Sequence, residues 1–407
     1  MGMHIDYERN IDSFALFMLY YRMLTGIDVL IRERFRRLRG RRIALCTSYA
    51  VCDSRSIPTI EIFKRQSPGR LKAVFAPEHG LYASSQDQIP NADSIDGAIP
   101  VYSQYGPRLA PSRQMLSGID TVVIDLFDIG CRYYTFLWSA ILLIKEAADS
   151  GVPVMILDRP NPLSGTMVQG PVLDPAYSSF VGLYPIPIRH GMTIGELSLM
   201  INQEFGINAR LDVVKTTGWN RIRYFHETSL PWTIPSPNMP SETTAYVYPG
   251  MCLLEGTNVS EGRGTTRPFE LFGAPWIDPA KLVKSLSRFK LCGVNFRPVY
   301  FQPTFHKFRG RRCGGAQLLV VDPTKLNPVR LGLAVISALR RLYPAEFKWR
   351  PPPYEHERVK MPFDILVGNN WVRQDLERGA TLPFIERQWQ TGLRAFLKLR
   401  RRYLLYK

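Results

Sequence analysis

Four short apolar runs rich in β-branched residues, Ile43–Cys46, Leu71–Ala76, Thr121–Asp125 and Val152–Leu157, recur through the first half of the chain. Apolar runs of this length without polar alternation suit strands buried on both faces, as in parallel sheets covered by helices. Between the last two lies Tyr134 to Ser150, apolar at Phe136, Leu137, Ile141, Leu142 and Ile144 and followed by Gly151. That is the pattern of a helix stopped by a glycine, and it completes a βαβ unit. Thr193-x-x-Glu196 predicts a capping box opening a second helix through Leu197, Met200 and Ile201. The fold class expected for this half is therefore α/β, a parallel sheet with helices on both faces.

From about residue 206 the texture changes to short strand-like pieces, many prolines and long loops. It ends in a predicted helix with Ile385, Trp389, Leu393, Phe396 and Leu397 on one stripe. This predicts an α+β second domain, and a chain of 407 residues is long enough for two cores. The expected division is a helical extension over 1–25, a catalytic α/β domain over 26–205 and an α+β domain over 206–407. The apolar run Phe14 to Tyr21 follows Asp6, Glu8, Arg9 and Asp12, so it lacks the basic start and small-residue cleavage site of a secretory signal. It is also shorter than the ~20 residues of a spanning helix. A cytoplasmic location is the default expectation.

The formal charge of +17 looks at first like a nucleic-acid signal. Its distribution argues otherwise: residues 288–407 hold 24 Lys/Arg against 8 Asp/Glu, whereas residues 43–287 are slightly acidic at −3. No nucleic-acid module motif and no basic groove interleaved with stacking aromatics accompanies the excess, so no nucleic-acid partner is expected. Two readings of the basic C-terminal region remain, electrostatic attraction to an anionic wall or membrane surface and a solvated cationic face. The six cysteines show no C-x-x-C pair or zinc-finger spacing and read as scattered core thiols.

In an open parallel sheet ligands bind beyond the carboxyl ends of the strands. Three successive strands here deliver acids to that edge: Pro77-Glu78-His79-Gly80, Asp125-Leu126-Phe127-Asp128, and Asp158-Arg159-Pro160-Asn161. Converging carboxyl groups suit glycoside hydrolysis, which usually needs one protonated and one ionised acid. Asp125 fits a buried structural role as well as a chemical one, Asp158 fits turn chemistry equally, and Glu196 is explained by the capping box. Glu78, between a proline and a glycine, has no evident local duty. Two later loops, Pro235–Pro240 and Glu255–Thr266, concentrate polar groups suited to sugars. The second lacks the Gly-Lys-Ser/Thr ending of a phosphate loop, and no G-x-G-x-x-G or G-x-S-x-G is present.

Several ordered segments resemble the NamZ-type exo-β-N-acetylmuramidase family, once known only as a domain of unknown function. They include Phe75-Ala-Pro-Glu-His-Gly80, Pro100-Val-Tyr-Ser-Gln-Tyr-Gly106, Asp125-Leu-Phe-Asp-Ile-Gly-Cys-Arg-Tyr-Tyr-Thr135 and Leu157-Asp-Arg-Pro-Asn-Pro162. The likeness continues through Ser179-Phe-Val-Gly182, Pro187–Leu197, Pro235-Ser-Pro-Asn-Met-Pro240 and Leu254–Thr266. It implies a Rossmann-like N-terminal domain, an auxiliary C-terminal domain and an active site in the cleft between them. It further implies exo-lytic release of N-acetylmuramic acid from non-reducing ends of peptidoglycan fragments, with no cofactor or metal and with muramyl saccharides as partners.

Carried onto this chain, the resemblance makes Glu78 the expected catalytic acid, with Asp128, Asp158 and Glu261 as candidates for the second group. The lactyl carboxylate of the substrate calls for a cation with fork geometry, for which Arg132 and Arg263 are candidates, aided by His190. An ion pair holding Asp128 or Asp158 is the structural alternative for Arg132. Tyr105, Tyr134, Asn161, Asn238 and Asn258, with His79 beside Glu78, are expected to bind sugar hydroxyls and the acetamido group. The chain departs from the family pattern at Phe127, usually glutamine, at Cys131, usually small, and at Leu81-Tyr82-Ala83, usually an aromatic-Arg-Gly step. Two other readings are a hydrolase with His79, His190, Asp125 and Asp158 as metal ligands, and a wall-binding protein without turnover.

Overall fold

In the structure, a computed structural model describing residues 23–67 and 70–407, β1 (Ile43–Cys46) lies at the middle of a seven-stranded sheet. On one side stand β2 (Leu71–Ala76), β4 (Ile99–Ser103) and β3 (Ser94–Asp96); on the other, β5 (Thr121–Ile124), β6 (Val154–Leu157) and β9 (Leu211–Val214). All pairings are parallel except β3 with β4. The chain steps outward from β1 through β2, then returns to place β5 on the other flank. The expected α/β sheet is thus present, with its topological switch between β1 and β5.

β1, β5 and β6 are buried at every residue, and their alternating side chains feed two cores. Leu45, Val123 and Met155 pack with Ile27 and Leu30 of α1 (Gly26–Arg32) and with Ile60 and Phe63 of α2 (Thr59–Gln66). Ala44, Cys46, Val122, Ile124 and Ile156 face the opposite way. They pack with α3 (Phe136–Asp149) and with Leu197, Met200 and Ile201 of α4 (Ile194–Glu204). Each apolar side chain removed from water contributes about 1.5–3 kcal/mol, and burial on both faces sustains four-residue strands. α4 opens with the expected capping box at Thr193 and Glu196. β9 lies beyond residue 205; its alternating exposure and Asp212 give it a weak strand pattern, as befits an edge.

The second part has a three-stranded antiparallel sheet, β10 (Leu271–Ala274), β12 (Cys313–Val320) and β11 (Val294–Phe301), in that order. α6 (Pro279–Leu286) lies against β11 and β12, α7 (Pro328–Leu342) packs on α6, and α5 (Glu242–Met251) packs on α7. α5 and α7 cross at Gly250 and Gly332: a Cβ on Gly250 would stand 1.7 Å from the Pro328 carbonyl oxygen, so no larger residue fits. The remaining helices are α8 (Pro362–Val367), α9 (Trp371–Glu377), α10 (Leu382–Gln388) and α11 (Gln390–Arg400). The expected terminal helix is thus two helices broken at Trp389. Its stripe still reads correctly at Ile385, Trp389, Leu393 and Phe396, all buried.

One hydrophobic core runs from α3 through α5 to α7 and α11 without interruption. Polar clamps cross the same boundary. The Arg132 guanidinium donates to the carbonyls of Pro171 and Ile186, beside the hairpin β7 (Gln169–Val172) and β8 (Pro187–Arg189), and to Leu366 in α8. Arg400 donates to Gly165 and Gly191, and Tyr406 to Asp158 at 2.6 Å.

The expected helical extension lies, up to residue 22, outside the described residues; Thr25 opens α1 with a capping box to Asp28. No helix among the described residues is long and apolar enough to cross a membrane. Five cysteines are buried thiols, whereas Cys292 is exposed.

Candidate active site

β2 ends at Ala76, and Pro77 throws the chain into a turn in which His79 (φ 73°) and Gly80 (φ 75°) are left-handed. The conformation is ordinary for glycine and rare for histidine. Nδ1 of His79 lies 2.7 Å from the Ser85 carbonyl oxygen, so Nδ1 carries the proton. Glu78 points inward and is buried. Its Oε2 accepts from Thr135 Oγ1 at 2.6 Å, at the mouth of α3, and its Oε1 from the Gln88 backbone at 3.3 Å.

Glu78, His79, Tyr134, Thr135, Asn238 and Arg263 line one narrow cleft, together with Glu255 and Glu355. Asn238 Nδ2 donates to Gln86 at 2.7 Å, tying the Pro235–Pro240 loop to the segment after Glu78. Arg263 binds Glu255 at 2.8 Å and Asp87 at 3.2 Å and faces Glu261 at 3.5 Å. Burial opposes its charge, but these three acids outweigh burial and hold its pKa well above the usual value. Burial likewise opposes the charge of Glu261, but Lys307 at 2.9 Å, His306 at 3.2 Å and Arg263 hold that carboxyl below the usual range.

Tyr105 reaches the cleft wall through Glu355, to which its hydroxyl donates at 2.8 Å. Glu355 comes from the second part of the chain. Burial, and then the charge of Glu78, push its carboxyl well above the usual range.

The other expected site residues lie elsewhere. Asp128 lines a separate small cavity with Asn161 and Met192. Burial raises its carboxyl to about 7. His190 Nε2 stands 3.7 Å from it, and burial, then Arg400, lower that imidazole to about 3. Neither Oδ1 of Asp128 nor Nε2 of His190 has a hydrogen-bond partner among the described residues. Asp158 accepts from Thr193, the Gly195 backbone and Tyr406, so it anchors the start of α4. Asn161 bonds the Leu163 and Met192 backbones, and Asn258 those of Glu346 and Lys348. Arg132 binds carbonyls instead of an acid; burial lowers it to about 10.

Asp125 is held by Arg159 at 2.6 Å and Thr59 at 2.7 Å. The four residues considered as metal ligands thus engage different partners, and no group of three or more His, Cys, Asp or Glu suited to a metal occurs among the described residues.

Among the departures from the family pattern, Phe127 packs on Phe225 and Trp232, Cys131 is buried, Tyr82 stacks on Tyr49 at 5.0 Å, and Ala83 takes φ 53°. Sequence reasoning missed Glu355, Asp87, Lys307 and His306, and noted Glu255 and Thr135 only as parts of motifs. The one available signal for Glu355 is Tyr354-Glu355-His356 set just after three prolines, chemistry-bearing residues on a stiffened loop.

A parallel sheet of this winding, with a buried acid beyond β2 and a cleft shared with the second part of the chain, is the arrangement of an α/β enzyme whose site lies at the carboxyl edge of its sheet. The family profile described as exo-β-N-acetylmuramidase NamZ, N-terminal, matches residues 43–243, and the NamZ C-terminal profile matches residues 246–406. The chain is 42% identical to the peptidoglycan β-N-acetylmuramidase NamZ of Bacillus subtilis (strain 168) over 384 residues, 94% of this chain and 91% of that one. A DUF1343 family protein from Bacteroides fragilis superposes with a TM-score of 0.85 at 32% identity, covering 95% of this chain and 100% of its own. A second from the same organism gives 0.71 at 28%, covering 95% and 99%. The chain belongs to the NamZ exo-β-N-acetylmuramidase family.

Proposed function

We propose that the chain hydrolyses the β-glycosidic bond following a terminal N-acetylmuramic acid in peptidoglycan fragments, releasing that sugar, with Glu78 as a catalytic carboxyl group. The observation that carries the reading is Glu78 itself, buried at the carboxyl edge of the sheet, bonded by Thr135 and lining a cleft with polar side chains from both halves of the chain. His79, Tyr134, Asn238 and Arg263 line that cleft and would contact the sugar. The name of the B. subtilis relative supports peptidoglycan as substrate.

Glu78→Gln, assayed on a chromogenic β-N-acetylmuramide and on a muramyl disaccharide, is expected to lose activity by a factor of roughly 10²–10⁴. Activity near that of the unaltered enzyme overturns the assignment. Arg394, Lys398, Arg401 and Arg402, exposed on and just beyond α11, support attraction to anionic wall polymers. Such attraction must weaken with salt, so retention on wall material that ignores ionic strength overturns it.

A further inference from the structure

A sugar alkoxide is a poor leaving group, so cleaving a bond between two sugars needs a proton donor as well as an ionised carboxylate. Glu78 accepts two hydrogen bonds, from Thr135 and the Gln88 backbone. Glu355 lines the same cleft and is arranged differently. It is 8% exposed, and among the described residues it has no ion-pair partner. Arg263, the cation of the cleft, is bonded to Glu255 and Asp87 instead. Burial, then the charge of Glu78, favours the neutral form of Glu355.

The backbone holds Glu355 in place at some cost. Glu355 (φ 46°) and His356 (φ 66°) are both left-handed, a conformation that persists where surrounding contacts fix it and that gathers at functional sites. The contacts are the Tyr105 hydroxyl on Oε2 at 2.8 Å and the His356 ring set edge-on against Tyr105 at 5.3 Å.

We propose that Glu355 is the second carboxyl group of the reaction and its proton donor, with Tyr105 as the positioning residue that fixes it; Glu78, which the family likeness makes the expected acid, then acts as base or nucleophile. The proposal rests on the glycosidase reading of this cleft. As the C1–O bond to the leaving sugar breaks, its electron pair stays on the glycosidic oxygen, which takes the proton of Glu355. C1 gains the oxygen of one water molecule, either directly with Glu78 accepting the water proton or after a covalent stay on Glu78. In the second course the water proton returns to Glu355; in the first it passes from Glu78 back to Glu355 through solvent. One water is consumed and nothing is oxidised or reduced.

The test compares two leaving groups. On a muramyl disaccharide Glu355→Gln is expected to fall about 10³-fold, within the usual range for a lost general acid. On an aryl β-N-acetylmuramide carrying 2,4-dinitrophenolate, which departs unprotonated, the variant is expected to stay within about tenfold of the parent, whereas on the disaccharide it loses the alkaline limb of kcat/KM. Parent-like disaccharide activity overturns the proposal, as does an equal loss on both substrates with an unchanged Tm. A parent enzyme that cleaves neither substrate overturns the glycosidase reading instead.

Should Glu355→Gln fail to fold, Tyr105→Phe decides. Its hydroxyl stabilises the charged form of Glu355, so its loss is expected to move the alkaline limb to higher pH and lower kcat with KM little changed. An unmoved limb overturns the proposal.

Discussion

Thr135 Oγ1 donates to Glu78 Oε2 at 2.6 Å, joining the entrance of α3 to the turn after β2. This bond fixes the direction in which the carboxylate faces the cleft. Thr135→Val keeps the shape and removes the donor. A hydrogen bond to a charged group contributes about 1.5–3 kcal/mol, so kcat/KM is expected to fall roughly tenfold to a hundredfold. Steady-state kinetics well below Tm check this; unchanged kcat/KM means that Glu78 is held by other means.

Arg132 was a candidate for recognising the lactyl carboxylate, yet its Nη atoms donate to three backbone carbonyls from two parts of the fold. A lysine lacks the planar fork to reach all three. Arg132→Lys is expected to lose about 3 kcal/mol of stability with KM little changed. A raised KM at unaltered urea midpoint would return Arg132 to substrate binding.

Asp128 and His190 make an unusual pH prediction. Their ordinary values of 3.8 and 6.5 become about 7 and about 3 in the fold. The raised Asp128 stabilises fully below its unfolded value and loses that contribution as pH rises to about 7. The depressed His190 stabilises fully above its unfolded value and loses that contribution as pH falls to about 3. From pH ~4 to ~6.5 folding thus moves one proton from histidine to aspartate, and the pair adds almost no net slope. Asp128→Asn is expected to make stability fall with decreasing pH across that window, and His190→Gln to make it fall with increasing pH. Urea midpoints at several pH values test this; slopes of the same sign contradict it.

Ala83 sits at φ 53°, a left-handed conformation that favours glycine. A side chain there is strained, so Ala83→Gly is expected to stabilise by about 0.5–1 kcal/mol despite the added freedom of the unfolded chain. A lower urea midpoint would show that the loop accepts the alanine without strain.

The central strands were legible because burial on both faces leaves an uninterrupted apolar run: Ile43–Cys46 and Leu71–Ala76 have the bounds expected of them. β3 and β9, at the edges, carry polar residues and gave no such signal. Within the site, Glu78 stood out because its turn follows a clear strand. Glu355 did not, since its loop has no periodicity and its meeting with Tyr105 and Glu78 depends on how two halves of the chain pack. Asp158 was ambiguous for a physical reason, because the same acid suits a turn, a helix entrance or catalysis, and only its bonds to Thr193, Gly195 and Tyr406 decide among them.

The Arg132 clamp and the unbroken core beneath it bear on how substrate meets the enzyme. Glu78 and Glu355 stand on walls tied to one continuous core, so opening the cleft like a jaw would have to break that core and the Arg132 clamp. Such a motion would expose buried apolar surface to water, a cost that favours a cleft already shaped for its ligand. Selection falls to fit: a glycan terminus that does not match the waiting slot gains nothing from a motion that would reshape it.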